Sequence, residues 1–165
     1  MRLILFLLRP IFHLLYHQFA WTYDLVAATV SLGRWKDWVM TALPHLEGRV
    51  LELGFGPGHL QAALQEKGAH AFGLDESRQM LRQAGRRLRE RGIPARLSRG
   101  YAQRLPFPAG TFDRVAATFP SEYIFDPRTL AEVYRVLAPG GSLVLVPMAW
   151  ITGLANLRRE RLSWK

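Results

Sequence analysis

Val50-Leu51-Glu52-Leu53-Gly54-Phe55-Gly56-Pro57-Gly58-His59-Leu60 decides how this chain is read. An apolar run meets a carboxylate and three alternating glycines, then resumes with apolar spacing. The pattern predicts a buried strand, a tight loop and the N-terminus of a helix. Glycine lacks a Cβ, so such a loop turns sharply and lets a ligand approach its backbone. The helix start adds free N–H groups and the positive end of a dipole. A nucleotide-like ligand fits that description.

The choice of ligand turns on what the loop lacks. A dinucleotide loop, G-x-G-x-x-G, needs a third glycine where His59 stands, and a P-loop needs Gly-Lys-Ser/Thr. The loop here is G-x-G-x-G, with Glu52 two residues before it. Glu52 repels an anion and attracts an ammonium or sulfonium group. Ala69-His70-Ala71-Phe72-Gly73-Leu74-Asp75 is a second short apolar run ending in an acid, with a helix-like segment before it. Together they form a βαβ unit with Asp75 at the tip of its second strand. A carboxylate there accepts both hydroxyls of a ribose; the plainer alternative is that Asp75 caps the following helix.

These residues resemble the class I S-adenosylmethionine-dependent methyltransferases, most closely the group with the ubiquinone/menaquinone-biosynthesis methyltransferases. The resemblance runs from about Phe19 to Met148. It rests on Glu52–Gly58, Gly73-Leu74-Asp75, Leu105-Pro106-Phe107 followed by Phe112-Asp113, and Arg135-Val136-Leu137-Ala138-Pro139-Gly140-Gly141, in that order. Upstream, Tyr23-Asp24 and Ser31-Leu32-Gly33 are similar to that group's N-terminal segment. The resemblance implies S-adenosyl-L-methionine as cofactor. Gly54, Phe55, Gly56 and Gly58 would then hold its methionine part, with Glu52 near the ammonium and Tyr23 touching the cofactor. Asp75 would take the ribose, Glu76 and Met80 would lie near the adenosine, and Tyr101 and Ala102 would flank the adenine. Tyr101 stands where the family commonly has an Asp. Phe119, within Thr118-Phe119-Pro120-Ser121, would face the reacting methyl group. That segment is not the Asn/Asp-Pro-Pro-Tyr motif of nucleic-acid base methyltransferases.

The chain of 165 residues is one domain by length, and its 49% hydrophobic content is ample for a core. It has no cysteine, which excludes disulfides and thiolate metal sites. The five histidines lack ligand-like spacing, so no metal is expected. Net charge is +9, much of it from arginines between Arg78 and Arg99. Between Glu76 and Arg91, Met80, Leu81, Ala84 and Leu88 form one helical stripe. The arginines there read as a solvated face or as an attraction to anionic lipid; without an accompanying motif, nucleic acid is the weaker partner.

Residues 1–18 are strongly apolar but broken by Arg9-Pro10. A spanning helix needs about 20 mainly apolar residues, and a signal peptide needs a longer apolar stretch and a cleavage site. Two readings stay open: a peripheral membrane contact, or a lid over the cofactor. A cytoplasmic location, at the inner face of the membrane if the contact exists, follows.

Three regions are expected: the N-terminal segment 1–47, a cofactor-binding core 48–148 and a basic helical tail 149–165. Residues 19–47 read as helical, ending near Pro44. Strands are expected at 49–53, 70–74, 95–98, 112–118 and 142–148, and helices at 58–67, 76–91 and 127–137. Alternation of this kind predicts a Rossmann-like, doubly wound parallel sheet of order 3-2-1-4-5, with Pro139-Gly140-Gly141 ending the last helix. The resemblance would add a final β-hairpin, which this sequence does not display. Strand five is then an apolar edge, to be covered by the N-terminal segment, a second copy of the chain or a membrane.

The function expected is methyl transfer to oxygen or carbon of a small, lipid-like acceptor. His17, Tyr23, His59, Glu122 and Tyr123 are candidate bases, and no catalytic residue is assigned. The alternatives are a dinucleotide-dependent oxidoreductase, disfavoured by His59, and a non-catalytic membrane-associated or partner-binding domain of methyltransferase descent.

Overall fold

A computed structural model describes residues 34–149. Tyr23, His17, the segment 1–18 and residues 150–165 of the tail lie outside the described residues. Five parallel strands form one sheet: β1 (Arg49–Leu53), β2 (His70–Asp75), β3 (Leu97–Arg99), β4 (Phe112–Thr118) and β5 (Leu137–Val146), in spatial order β3-β2-β1-β4-β5. The four described helices are α1 (Trp35–Met40), α2 (His59–Glu66), α3 (Arg78–Glu90) and α4 (Pro127–Val136), with 3-10 turns at Leu43–His45 and Glu122–Phe125. The expected fold class and strand order hold.

Both faces of the sheet are covered, which is why the central strand reads as an unbroken apolar run. Val50 packs with Leu60, Leu64, Val39 and Leu46 on the α1/α2 face. Leu51 and Leu53 pack with Phe112, Val115, Val133 and Val136 on the α4 face. The chain leaves β1 toward β2 on one side and finds β4 on the other. A crevice therefore opens at the carboxyl ends of β1, where ligands bind in such sheets.

Several boundaries differ from the sequence reading. The helix expected at 76–91 begins at Arg78, because Ser77 is its N-cap and its hydroxyl accepts the Met80 N–H at 3.3 Å. Strand three lies at Leu97–Arg99 rather than 95–98. Pro139-Gly140-Gly141 does not precede strand five but lies inside it. Phe112 pairs with Leu137 and Arg114 with Ser142, so 138–141 bulge outward opposite Asp113. The Asp113 side chain turns instead to β1, where its carboxylate accepts the Arg49 N–H at 2.8 Å and fixes the start of that strand. The helix expected to end near Pro44 ends at Met40, and Pro44 sits in the 3-10 turn that follows.

The Leu105-Pro106-Phe107 motif has a structural role. Arg135 of α4 donates to the carbonyls of Phe107 (2.7 Å) and Leu105 (3.1 Å) and pairs with Glu132, which in turn accepts the Leu105 N–H at 2.6 Å. Phe107 then meets Phe112 edge-on with centroids 5.0 Å apart. On the far side, β5 is half-exposed along most of its length and forms an edge of the sheet among the described residues.

Candidate functional site

The glycine loop joins β1 to α2. Gly54, Gly56 and Gly58 have φ of 69°, 51° and 80°, a region that side-chain-bearing residues rarely enter. Space adds a second constraint at two of them. A Cβ on Gly58 would lie 2.7 Å from the Ala84 Cβ of α3, and one on Gly54 would lie 2.9 Å from the Tyr123 hydroxyl. Over Gly56 there is open space. The loop is thus pressed between α3 and Tyr123, with its crest clear.

Asp75 ties the two halves of the site together. One carboxylate oxygen accepts the Gly56 N–H at 2.9 Å and the other the Ser77 N–H at 2.8 Å. With Ser77 acting as the helix cap, Asp75 is released from that alternative role. Its two oxygens are fixed in direction and keep further lone pairs for a ligand. Burial raises its pKa, and the two N–H bonds oppose that rise.

Glu52 is 2% exposed. Its partner is Gln61, whose Nε2 donates to it at 2.8 Å and to the Phe72 carbonyl at 3.1 Å. Burial, reinforced by the nearby Asp75 charge, pushes the Glu52 carboxyl up to about 8. Gln61 Oε1 is buried with no hydrogen-bond partner among the described residues. Among the described residues no Lys or Arg pairs with Glu52 or Asp75. Among those residues the site therefore holds buried acceptors with no counter-ion, a setting that a cationic ligand stabilises and a pyrophosphate does not.

Tyr123 is a site residue whose place the sequence does not reveal. It follows the 3-10 turn start at Glu122, and its hydroxyl donates to the Leu53 carbonyl at 3.2 Å. Burial first, and then the charges of Asp75, Glu52 and Glu76, raise its pKa beyond the ordinary phenol range. It stays protonated, so it braces the loop and is unsuited to the role of base. Glu122 is exposed and His59 is half-buried at the start of α2.

The remaining sequence-derived positions separate into two groups. Phe55 and Met80 pack with Ala84 in a small buried cluster under the loop, and Ala102 lies in the core of the α4 face. Tyr101 and Glu76 are exposed at the ends of β3 and β2. Phe119, at the end of β4, has φ of 49°, the one positive value among described non-glycine residues. A left-handed residue of this kind costs about 1–3 kcal/mol. Its N–H bonds the Val146 carbonyl at 2.7 Å, and its ring lies 4.3 Å from Trp35 and 6.3 Å from Trp38. The strain sets an aromatic wall beside the carboxyl end of β4.

Glu52 supplies a pH prediction. Its native pKa lies above the unfolded value, so its contribution to stability is full below about 4.5 and is lost as pH rises through about 8. Glu52→Gln mimics the neutral form. Thermal melts of the ligand-free protein should show the variant matching wild type at pH 5 and exceeding it at pH 9; parallel curves would show that Glu52 carries no buried charge.

Comparison with known proteins places this geometry. Residues 50–141 match the family model described as a methyltransferase domain. The chain is 37% identical over 139 residues to the demethylmenaquinone methyltransferase of Thermus thermophilus, covering 80% of this chain and 63% of that protein. It is 34% identical over 152 residues to the ubiquinone/menaquinone biosynthesis C-methyltransferase of Rhizobium meliloti, covering 84% and 58%. The crystal structure of the YcgJ protein from Bacillus subtilis superposes with a TM-score of 0.59 at 27% identity, over 66% of this chain and 49% of that one. The chain thus spans less than two thirds of the length of each.

Proposed function

The chain belongs to the methyltransferase-domain family, and from that premise we propose that it binds S-adenosyl-L-methionine at the glycine loop and directs methyl transfer to oxygen or carbon of a small, lipid-like acceptor. The observation that carries this reading is the pair of buried carboxylates, Glu52 and Asp75, close to each other without a cation among the described residues. A cofactor bearing an ammonium and a sulfonium brings the missing charge, and a dinucleotide does not. The unsatisfied Gln61 Oε1 and the clear crest at Gly56 fit the same group.

In this reading Glu52 holds the ammonium, Asp75 the ribose hydroxyls, and Glu76 and Tyr101 border the adenosine. Gly54, Phe55, Gly56 and Gly58 hold the methionine part, Met80 lies near the adenosine and Ala102 flanks the adenine; Tyr23 would touch the cofactor from the N-terminal segment. When bound, the cofactor supplies an electrophilic methyl group. The protein's part is to align the acceptor and keep the site dry, and alignment alone is worth about 7–11 kcal/mol. Phe119, with Trp35 and Trp38, forms the apolar wall suited to excluding water. Ionisation of Glu52 on binding a cation releases up to about one proton at pH 7, visible as a buffer-dependent binding enthalpy.

The two curated relatives carry names that specify demethylmenaquinone and ubiquinone/menaquinone chemistry, and these names support a quinol-like acceptor here. Residues 1–18 would bring the protein to the cytoplasmic face of the membrane where such a lipid resides, and a second copy would cover β5. Among the described residues, no helix is long and apolar enough to cross a membrane. The test is transfer of radiolabel from S-adenosyl-L-methionine to a reduced quinone extract. Labelled quinol supports the reading, and bound cofactor without transfer to any lipid fraction refutes the acceptor class. Tyr123→Phe is expected to keep turnover within about threefold and to cost about 1 kcal/mol of stability; a thousandfold loss of turnover would make Tyr123 a base after all.

A further inference from the structure

A second charged feature lies beside the cofactor loop and has the opposite sign. A polar recess of about 370 Å³ is lined from the start of α3 by Glu76, Ser77, Arg78, Gln79 and Arg82, and from the end of β3 by Arg99 and Tyr101. Arg99 is anchored: its Nε donates to the Glu76 carbonyl at 2.9 Å, which leaves the outer guanidinium nitrogens available. Arg78 and Arg82 make no ion pair or side-chain hydrogen bond among the described residues. Arg78 also stands in the first turn of α3, where a cation opposes the helix dipole and the turn itself holds no acidic residue; Glu76, just before it, is the one carboxylate of the lining. Three arginines thus line one recess. Arg86, one turn beyond Arg82 on this helix, is by contrast paired with Glu90 at 2.7 Å.

The one anion of the proposed cofactor, its methionine carboxylate, belongs in that reading to the glycine loop, which does not line the recess, and the adenosine half is neutral. We propose that the Arg78–Arg82–Arg99 recess is a binding site for a phosphate group. Planar guanidiniums from two elements match the spread of phosphate oxygens. Eight arginines fall between Arg78 and Arg99, so the recess opens on a strongly basic face that attracts anions from a distance. The phosphate is carried either by a lipid headgroup or by a small soluble molecule.

Two probes separate the sources: calorimetric titration with inorganic phosphate, and co-sedimentation with phosphatidylcholine vesicles with or without phosphatidylglycerol. Two double variants separate a site from diffuse charge. Arg78→Gln/Arg82→Gln alters the recess, and Arg86→Gln/Arg89→Gln removes the same formal charge elsewhere on the exposed face of α3. Wild type and the second variant should bind alike, while the recess variant loses at least tenfold in affinity. Saturable binding of inorganic phosphate assigns a soluble ligand; sedimentation only with phosphatidylglycerol vesicles assigns a headgroup. Equal loss in both variants, equal sedimentation with both vesicle types together with no phosphate binding, or no binding of either probe by wild type overturns the proposal. Matching far-ultraviolet circular dichroism of the two variants verifies that the comparison is between folded proteins.

Discussion

Asp75→Ala is expected to lower the affinity for S-adenosyl-L-methionine by about two to four orders of magnitude. Two hydrogen bonds from ribose hydroxyls to a carboxylate are worth about 1.5–3 kcal/mol each, and about 1.4 kcal/mol is tenfold. The substitution also frees the Gly56 and Ser77 N–H groups that Asp75 holds at 2.9 and 2.8 Å, so part of the loss comes from a looser loop. Asp75→Asn separates the two effects. The amide oxygen keeps one backbone bond and the loop near its place, but the charge is gone, so the affinity should fall by an intermediate factor. Calorimetric titration of both variants measures this. Wild-type affinity in Asp75→Ala would remove the residue from the site.

Gly58→Val should produce the largest loss of stability, about 2–6 kcal/mol. A β-branched residue at φ 80° is strained by about 1–3 kcal/mol. The Cβ would also press on Ala84, at 2.7 Å from its Cβ and 3.1 Å from its Cα, and overpacking of this kind costs about 1–3 kcal/mol. Helix α3 cannot retreat easily, because Met80, Ala84 and Leu88 are buried beneath it. Against a typical domain stability of about 5–15 kcal/mol, the variant should unfold well below the wild-type urea midpoint. An unchanged midpoint would mean that the loop and α3 are not in contact. Gly56→Ala, at a position with open space, should cost less because it carries the backbone strain alone.

Much of this site can be read in the sequence because its parts are local. The run Val50–Leu60 encodes strand, turn and helix in contiguous residues, and Asp75 follows from the end of the next apolar run. The sheet order follows from alternation of elements and from short connections. What escapes the sequence depends on competition between neighbours. Asp75 and Ser77 both suit a helix cap, and only the fold reveals that Ser77 takes it while Asp75 reaches back to Gly56. Pro139-Gly140-Gly141 carries the usual signals of a turn, but pairing of Phe112 with Leu137 draws it into β5 as a bulge. Tyr123 is 70 residues away from the carbonyl it bonds, and no local pattern announces that contact. The left-handed backbone of Phe119 is likewise invisible, because its ring contacts with Trp35 and Trp38 are made by a distant segment. The arginines between Arg78 and Arg99 are visible as composition, whereas the recess that three of them share arises from β3 lying beside the start of α3.

One physical idea underlies the site: a pair of buried carboxylates, without a cation among the described residues, selects a cationic nucleoside. Parallel calorimetric titrations of the full chain with S-adenosyl-L-methionine and with NAD at pH 7 decide it. Saturable one-to-one binding of S-adenosyl-L-methionine, accompanied by proton release, is expected, with no measurable heat from NAD. Tight binding of NAD together with no binding of S-adenosyl-L-methionine would contradict it.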